Sequence, residues 1–344
     1  MIEPAERVAL APFTTLELGG PAEYFVRASS REEILDALRW ARARGLPVNV
    51  LGGGSNVVIA DAGLPGLTLR VDTRGVRSTR VGEHVEVEVE AGEPWDALVG
   101  RTVAEGWAGL ECLSGIPGLT GATPIQNVGA YGQEVAETIE RVELLDRDSL
   151  SVVTRTREQC KFGYRSSIFK HEPERQIVLS VTFALRPAGA PSVKYAELAR
   201  ALGHRQPTLQ ETRETVLRLR RAKSMVLDAA DENRRSVGSF FLNPVLTDAQ
   251  VMSLRGRVAV EPPVFAADGG SKVPAAWLIE RAGLRKGQRS GAVGLSSKHA
   301  LSIVHHGGGT TAELVAFARH IRDQVRMHLG VNLEPEARLL GVTW

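Results

Sequence analysis

The chain has 344 residues, 43% hydrophobic and 24% charged, an ordinary globular composition with length enough for two or three compact units. Its 42 basic and 40 acidic residues leave a net charge of +2 scattered along the chain, which argues against nucleic acid as a partner, and no apolar run is long enough to span a bilayer. The 2 cysteines, Cys112 and Cys160, form no CxxC pair, so neither a disulfide framework nor a thiolate zinc site is indicated.

The N-terminal MIEPAERVALAPF carries acidic residues where a secretory signal would be basic, so a cytoplasmic protein is expected. Ser30 and Glu33 form a capping-box pattern ahead of ILDALRWARAR, and Gly45 stands where a left-handed C-cap would sit. LPVNVL then reads as a strand, GGG as a turn and NVVIA as the next strand, an opening of βαβ type. VEVEVEAG has the period of two of a half-exposed strand, and Pro94 opens a helix that Gly106 follows. Between Ile116 and Gly132 lies IPGLTGATPIQNVGAYG, a long loop rich in glycine and small residues, with Ile116, Leu119, Ile125, Val128 and Tyr131 as apolar anchors. RVELLD, SVVTRT and QIVLSVTFAL read as strands and QETRETVLRLRRAK as a helix, after which LDAADENRRS reads as a linker or mobile loop. GSFFLNPV, the helix VPAAWLIERAGL, the strand ALSIVHH, a long helix capped by Thr310 with Glu313, and a final strand NLEPEARLLGV complete the chain.

Chemistry concentrates in a few of these segments. Successive backbone N–H groups without side chains make a concave anion site, so GGGSNV can cradle a phosphate; a plain tight turn explains three glycines as well. The loop lacks both the Gly-Lys-Ser/Thr ending of a Walker sequence and the GxGxxG of a dinucleotide fingerprint. The second loop adds the amides of Gln126 and Asn127, and two such loops point to one large phosphate-bearing ligand. Arg165, in GYRSSIFK, is an ordinary surface residue unless buried, when it needs a carboxylate or phosphate partner. Ser239, in GSFFLNP, is a turn hydroxyl or helix cap, or else a proton donor that requires a strongly basic acceptor. The period of two puts Glu334, Glu336 and Arg338 on one strand face, where an exposed ion-pair surface is the bland explanation. His305 and His306, adjacent on a strand, point to opposite faces and give no metal pattern.

Together LGGGSNV, IPGLTGATPIQNVGAYG, GYRSSIFK, GSFFLNP and LEPEAR resemble, in order and spacing, the UDP-N-acetylenolpyruvoylglucosamine reductases, and the likeness runs from FTTLELGGPAEYF to the last strand. The resemblance implies an α+β chain: a FAD-binding fold of the vanillyl-alcohol-oxidase type made of two subdomains, 1–72 (with 332–344 returning to the site) and 73–222, and a substrate domain, 223–331. It implies non-covalent FAD, NADPH as co-substrate, a nucleotide-sugar substrate, no metal and a monomer. Gly52, Gly53, Gly54, Ser55 and Asn56 would contact the FAD phosphates; Gln126, Asn127 and Gly129 would line the flavin. Arg165 and Glu336 match the groups that stabilise an enolate-like intermediate, and Ser239 matches the proton donor to C2. Lys223 and Asn243 match substrate-contacting positions, and Tyr195, in SVKYAEL, the mobile-loop tyrosine of one subclass. The chain departs from the family pattern at Leu242, often a lysine, at Arg289, in place of a glutamine, and in MVLDAADENRRS, which lacks the short proline-containing form.

Two other readings compete. A flavin oxidase acting on an alcohol or sugar often holds its flavin through a histidine near the glycine loop, and the sequence has none before His84. A non-catalytic nucleotide-binding protein predicts loss of Arg165, Ser239 and Glu336, all of which are present.

Overall fold

Valine at every second position of HVEVEVE builds the strand His84–Glu90, and Val85, Val87 and Val89 are buried as the alternation predicts. In the computed structural model, which describes residues 2–203 and 206–344, this strand lies in an antiparallel sheet. The order is Val152–Thr156, Ile139–Asp146, Gln176–Pro187, His84–Glu90, Val76–Val81. The helix Trp95–Ala104 follows Pro94 as expected, and Trp95 packs its ring 5.8 Å from that of Phe183 while donating from Nε1 to the Leu113 carbonyl. Burying a side chain of this size is worth about 1.5–3 kcal/mol, so the Trp95, Phe183 and valine contacts anchor this layer.

A second sheet has the order Ala5–Ala9, Pro21–Ala28, Leu64–Val71, Val48–Leu51, its last two strands parallel with Val48 opposite Leu67. The helix Arg31–Arg42 covers it with Ile34, Ala37, Leu38 and Ala41, the spacing of one helical face. Ser30 caps the Glu33 N–H as expected, but the Glu33 carboxylate accepts from the Ser29 N–H, one residue earlier than a reciprocal box requires.

The described residues sort into two compact units. The first takes residues 2–8, Ala22–Gly53 and the described part of Pro65–Ala222; the second takes Ala9–Pro21, Gly54–Leu64 and Lys223–Trp344. In the second unit the helix Thr311–Leu329 buries Leu314, Val315, Ala318, Ile321 and Val325. A reciprocal Thr310–Glu313 capping box starts it, and Gly330, at φ +70, ends it. The Asp61 carboxylate also takes the Thr311 and Ala312 N–H groups at 2.7 and 2.9 Å, which completes the helix start. Phe240 and Phe241, at most 1% exposed, anchor GSFF in this core.

Three expectations need correction. NVVIA does not return beside LPVNVL: the strand Val57–Ile59 pairs in parallel with Arg338–Leu340. The glycine loop is therefore the passage of the chain from one unit to the other, not a turn within a sheet. The last strand is shorter than expected, because Pro335 donates no hydrogen bond and the chain bends at Glu336 and Ala337. LDAADENRRS is neither linker nor loose loop but a knot around Asp231, whose carboxylate accepts from Ser224 Oγ (2.7 Å), the Asn233 N–H (2.9 Å) and Lys298 Nζ (3.0 Å). Burial pushes the Asp231 carboxyl up, but these hydrogen bonds outweigh it and hold the pKa at about 2. Among the described residues no helix is long and apolar enough to cross a membrane.

Candidate active site

The glycine loop separates packing from function residue by residue. Gly54 sits at φ +64, and a Cβ there would lie 1.9 Å from the Phe13 carbonyl oxygen. At Gly53 a Cβ would lie 2.8 Å from the Gly118 Cα, in the second loop. Protein packing alone demands glycine at both. Gly52 differs: its φ is not left-handed, and the nearest atom to an added Cβ is Leu119 Cδ1 at 4.0 Å. Bare backbone with a single van der Waals neighbour leaves room for the approach of a phosphate, so Gly52, with Gly53, Gly54, Ser55 and Asn56 following, fits the diphosphate of FAD.

The second loop is an ordered structure with few helical residues. Asn127 is 1% exposed at φ +45, and its amide donates to Glu134 Oε2 (2.7 Å) and the Gly163 carbonyl (3.0 Å) while accepting from the Ala136 N–H (3.1 Å). Three of its four hydrogen-bonding positions are thereby used to shape the loop. Gln126 is half-buried beside it. Gly129 is hemmed in, since a Cβ would meet Glu134 Cγ at 2.8 Å and Arg165 Nη1 at 3.0 Å.

Arg165 belongs to the same cluster. Gly163 and Ser166 exchange backbone hydrogen bonds at 3.0 and 3.1 Å, a two-residue turn that puts Arg165 at φ +49. Its Nη2 donates to the Gly129 carbonyl at 2.6 Å and Nη1 to that of Asn127 at 3.4 Å; Lys170 Nζ donates to the Arg165 carbonyl at 2.8 Å. Ser167 Oγ donates to the Ile125 carbonyl at 2.5 Å, so the turn and the loop are one piece. Tyr131 (φ +49) and Arg165 (φ +49) adopt the left-handed region that such side chains disfavour, and so does Asn127 (φ +45), a residue type that tolerates it.

In the second unit, Ser239 is half-buried and follows Gly238 at φ +72. The C-terminal segment pairs with the one carrying Ser239: the Glu336 N–H donates to the Phe240 carbonyl (2.8 Å) and the Leu242 N–H to that of Glu334 (2.9 Å). Glu336 is thus brought beside the residue after Ser239. Asn56 reaches the same segment, its Nδ2 donating to the Glu336 carbonyl at 3.3 Å and its carbonyl accepting the Arg338 N–H at 3.0 Å. Asn243 turns its side-chain oxygen to the Ala275 N–H at 2.9 Å, starting the helix Ala275–Arg281. Lys223 and Leu242 are half-buried, and Arg289 is exposed. Tyr195, 47% exposed, begins the helix Ala196–Leu202 and lies edge-on to Tyr131 at 5.6 Å. Among the described residues no group of three His, Cys, Asp or Glu could hold a metal ion. His305 accepts the Gly309 N–H at Nε2 and donates from Nδ1 to the Leu16 carbonyl, a packing role.

Arg220 lies outside every motif singled out above. The helix Leu209–Arg221 buries Leu209, Thr212 and Val216, and Arg220, four residues after Val216, falls on that stripe. Burial pulls its guanidinium down to about 10, against the opposing pull of Tyr131 and Asp96. Asp96 in turn grips Arg213 with both oxygens (2.7 and 2.9 Å) and the Gly115 N–H (2.6 Å), fastening this helix to the start of the second loop. The signal was a charged residue on an apolar stripe.

Known proteins resemble the chain along its length. Residues 22–154 match a FAD binding domain, and residues 230–340 match the C-terminal domain of UDP-N-acetylenolpyruvoylglucosamine reductase. The chain is similar to the reductase of that name from Salinispora arenicola, 51% identical over 99% of this chain and 96% of the relative. It is likewise similar to that from Saccharopolyspora erythraea, 49% identical over 96% of this chain and 94% of the relative. The solved reductase from Thermus caldophilus matches with a TM-score of 0.68 at 26% identity, covering 99% of this chain and 100% of that one.

Proposed function

Since the chain belongs to the UDP-N-acetylenolpyruvoylglucosamine reductases, flavoenzymes that reduce UDP-N-acetylglucosamine enolpyruvate to UDP-N-acetylmuramate with NADPH, we propose how its own residues divide that work. Bound FAD supplies the two-electron chemistry, hydride in from NADPH and hydride out to C3 of the enolpyruvyl group. Residues 1–72, with 332–344, and 73–222 serve the flavin, and 223–331 serve the nucleotide-sugar. Gly52, Gly53, Gly54, Ser55 and Asn56 bind the diphosphate, while Gln126 and Gly129 meet the flavin and Asn127 holds their loop in shape.

Addition at C3 leaves negative charge at C2 that spreads onto the substrate carboxylate. Arg165 stabilises it, a service that removal of one such donor shows to be worth about 10²–10³-fold in rate. Ser239 delivers the proton to C2, where a carbanion-like acceptor supplies the strong base that a serine hydroxyl needs. Glu336 holds or polarises the enolic intermediate. Lys223, Asn243 and Tyr195 contact the nucleotide-sugar. The observation that carries this reading is the backbone pairing that draws Glu336 to the Ser239 segment, with Asn56 of the glycine loop bonded to the same carbonyl strand. The acting unit is a cytoplasmic monomer.

The test is optical. The purified protein is expected to be yellow, to bleach with NADPH, and to be reoxidised by UDP-N-acetylglucosamine enolpyruvate far faster than by oxygen. Reoxidation mainly by oxygen would favour the oxidase reading.

A further inference from the structure

We propose that Thr15 is a positioning residue that ties the glycine loop to the loop bearing Ser239, so that seating the cofactor's phosphates sets the aim of the proton donor. This rests on the reading of Ser239 as that donor. Thr15 touches both loops at once. Its N–H donates to the Gly54 carbonyl at 3.0 Å, and its hydroxyl donates to the Ser236 carbonyl at 2.6 Å. A hydroxyl has one proton, so the Gly54 oxygen at 3.5 Å from Oγ1 is a neighbour and not a second bond.

The contact is rigid on both sides. Gly54 is pressed against Phe13 and Thr14 so closely that a Cβ would lie 2.9 Å from the Thr14 Cα. Thr14 is itself held, its hydroxyl lying 3.0 Å from the Leu18 carbonyl. Two residues after Thr15, Glu17, at φ +53, clamps Arg234 (2.9 Å) and Arg235, which immediately precede Ser236. Beyond Ser239, the Phe240 N–H is fixed to the Leu301 carbonyl at 2.9 Å. Ser239 is therefore strung between two fixed points, Ser236 and Phe240.

These bonds close a ring. From Gly54 it runs through Thr15 to Ser236, along the chain to Phe240, across to Glu336, and back through Asn56 and Ser55 to Gly54. Every link except Thr15 and Asn56 is main chain. Asn56 has been placed in the binding loop, so Thr15 is the side chain that can be altered without touching a group that meets ligand.

Thr15→Val keeps shape and N–H but removes the hydroxyl. FAD affinity, read by flavin fluorescence, and reduction by NADPH should stay within about threefold, while reoxidation by the enolpyruvyl substrate slows about tenfold or more, the scale of a small misplacement at a reacting centre. The solvent deuterium isotope effect on reoxidation should rise, and Thr15→Ser should restore both. Amide exchange gives a readout without turnover: FAD should protect the segment 236–240 in the wild type and not in Thr15→Val. Equal slowing of both half-reactions, no slowing of either, or no FAD-dependent protection in the wild type would each overturn the tie. If Thr15→Val takes up no FAD, the wild-type exchange result decides alone. Ser239→Ala separates the two ideas: if it spares reoxidation, the donor role fails, while FAD-dependent protection lost in Thr15→Val would still support the tie.

Discussion

Arg165 shows how one side chain is committed by its surroundings. Two loop carbonyls hold its planar fork, and a lysine, with one compact ammonium, cannot reproduce that grip. Arg165→Lys should therefore retain FAD yet slow reoxidation by the enolpyruvyl substrate by about 10²-fold, as measured by stopped flow. Asp231 offers a pH test. Its folded pKa, about 2, lies below the ordinary value of 3.8, so its contribution is complete above that ordinary value and is lost as pH falls through the folded one. Thermal midpoints of the wild type should drop between pH 4 and pH 2, whereas Asp231→Asn should start lower at neutral pH and fall less steeply through that window. At this scale the sequence was partly legible. Ser239, Arg165 and Glu336 stood out by their motifs, but Asp231 and Thr15 did not, because their partners, Lys298 and Ser236, lie far away in the chain. A short polar residue carries no periodic signal that names such a partner.

At the scale of elements, the glycine loop gives a paired prediction. Gly54→Ala must force a β-carbon into the Phe13 carbonyl from a left-handed backbone, and the apoprotein should lose stability or fail to fold. Gly52→Ala meets only Leu119 Cδ1, at an ordinary contact distance of 4.0 Å, so the apoprotein's unfolding midpoint should move by no more than about 0.5 kcal/mol equivalent. If Gly52 belongs to the proposed cradle, the variant's FAD affinity should nevertheless fall at least about tenfold, because the added methyl would stand where a phosphate approaches the backbone. Unchanged FAD affinity in Gly52→Ala would remove that residue from the cradle. Elements with local signals were readable: the alternation of His84–Glu90, the Thr310 capping box and Pro94 ahead of Trp95–Ala104 all formed as expected. Val57–Ile59 was read as a strand, but its partner was not foreseeable. A parallel pair with Arg338–Leu340 is set by tertiary packing, and no turn residue announces it.

For the whole molecule, the chain order and the packing order differ. Ala9–Pro21 and Gly54–Leu64 leave the N-terminal part of the sequence to join the unit that holds Ser239 and Glu336. Motif order survives any packing, which is why family membership was legible in the sequence. Within the second unit, Gly54 and Asn56 are tied through the Thr15 and Asn56 side chains to the segments carrying Ser239 and Glu336. The most direct measurement is stopped-flow analysis of both half-reactions in Ser239→Ala. The account predicts flavin reduction by NADPH at nearly the wild-type rate and reoxidation by UDP-N-acetylglucosamine enolpyruvate slowed by about 10²–10⁴-fold, the range of a lost general acid. Equal slowing of the two half-reactions, or an unimpaired second one, would contradict it.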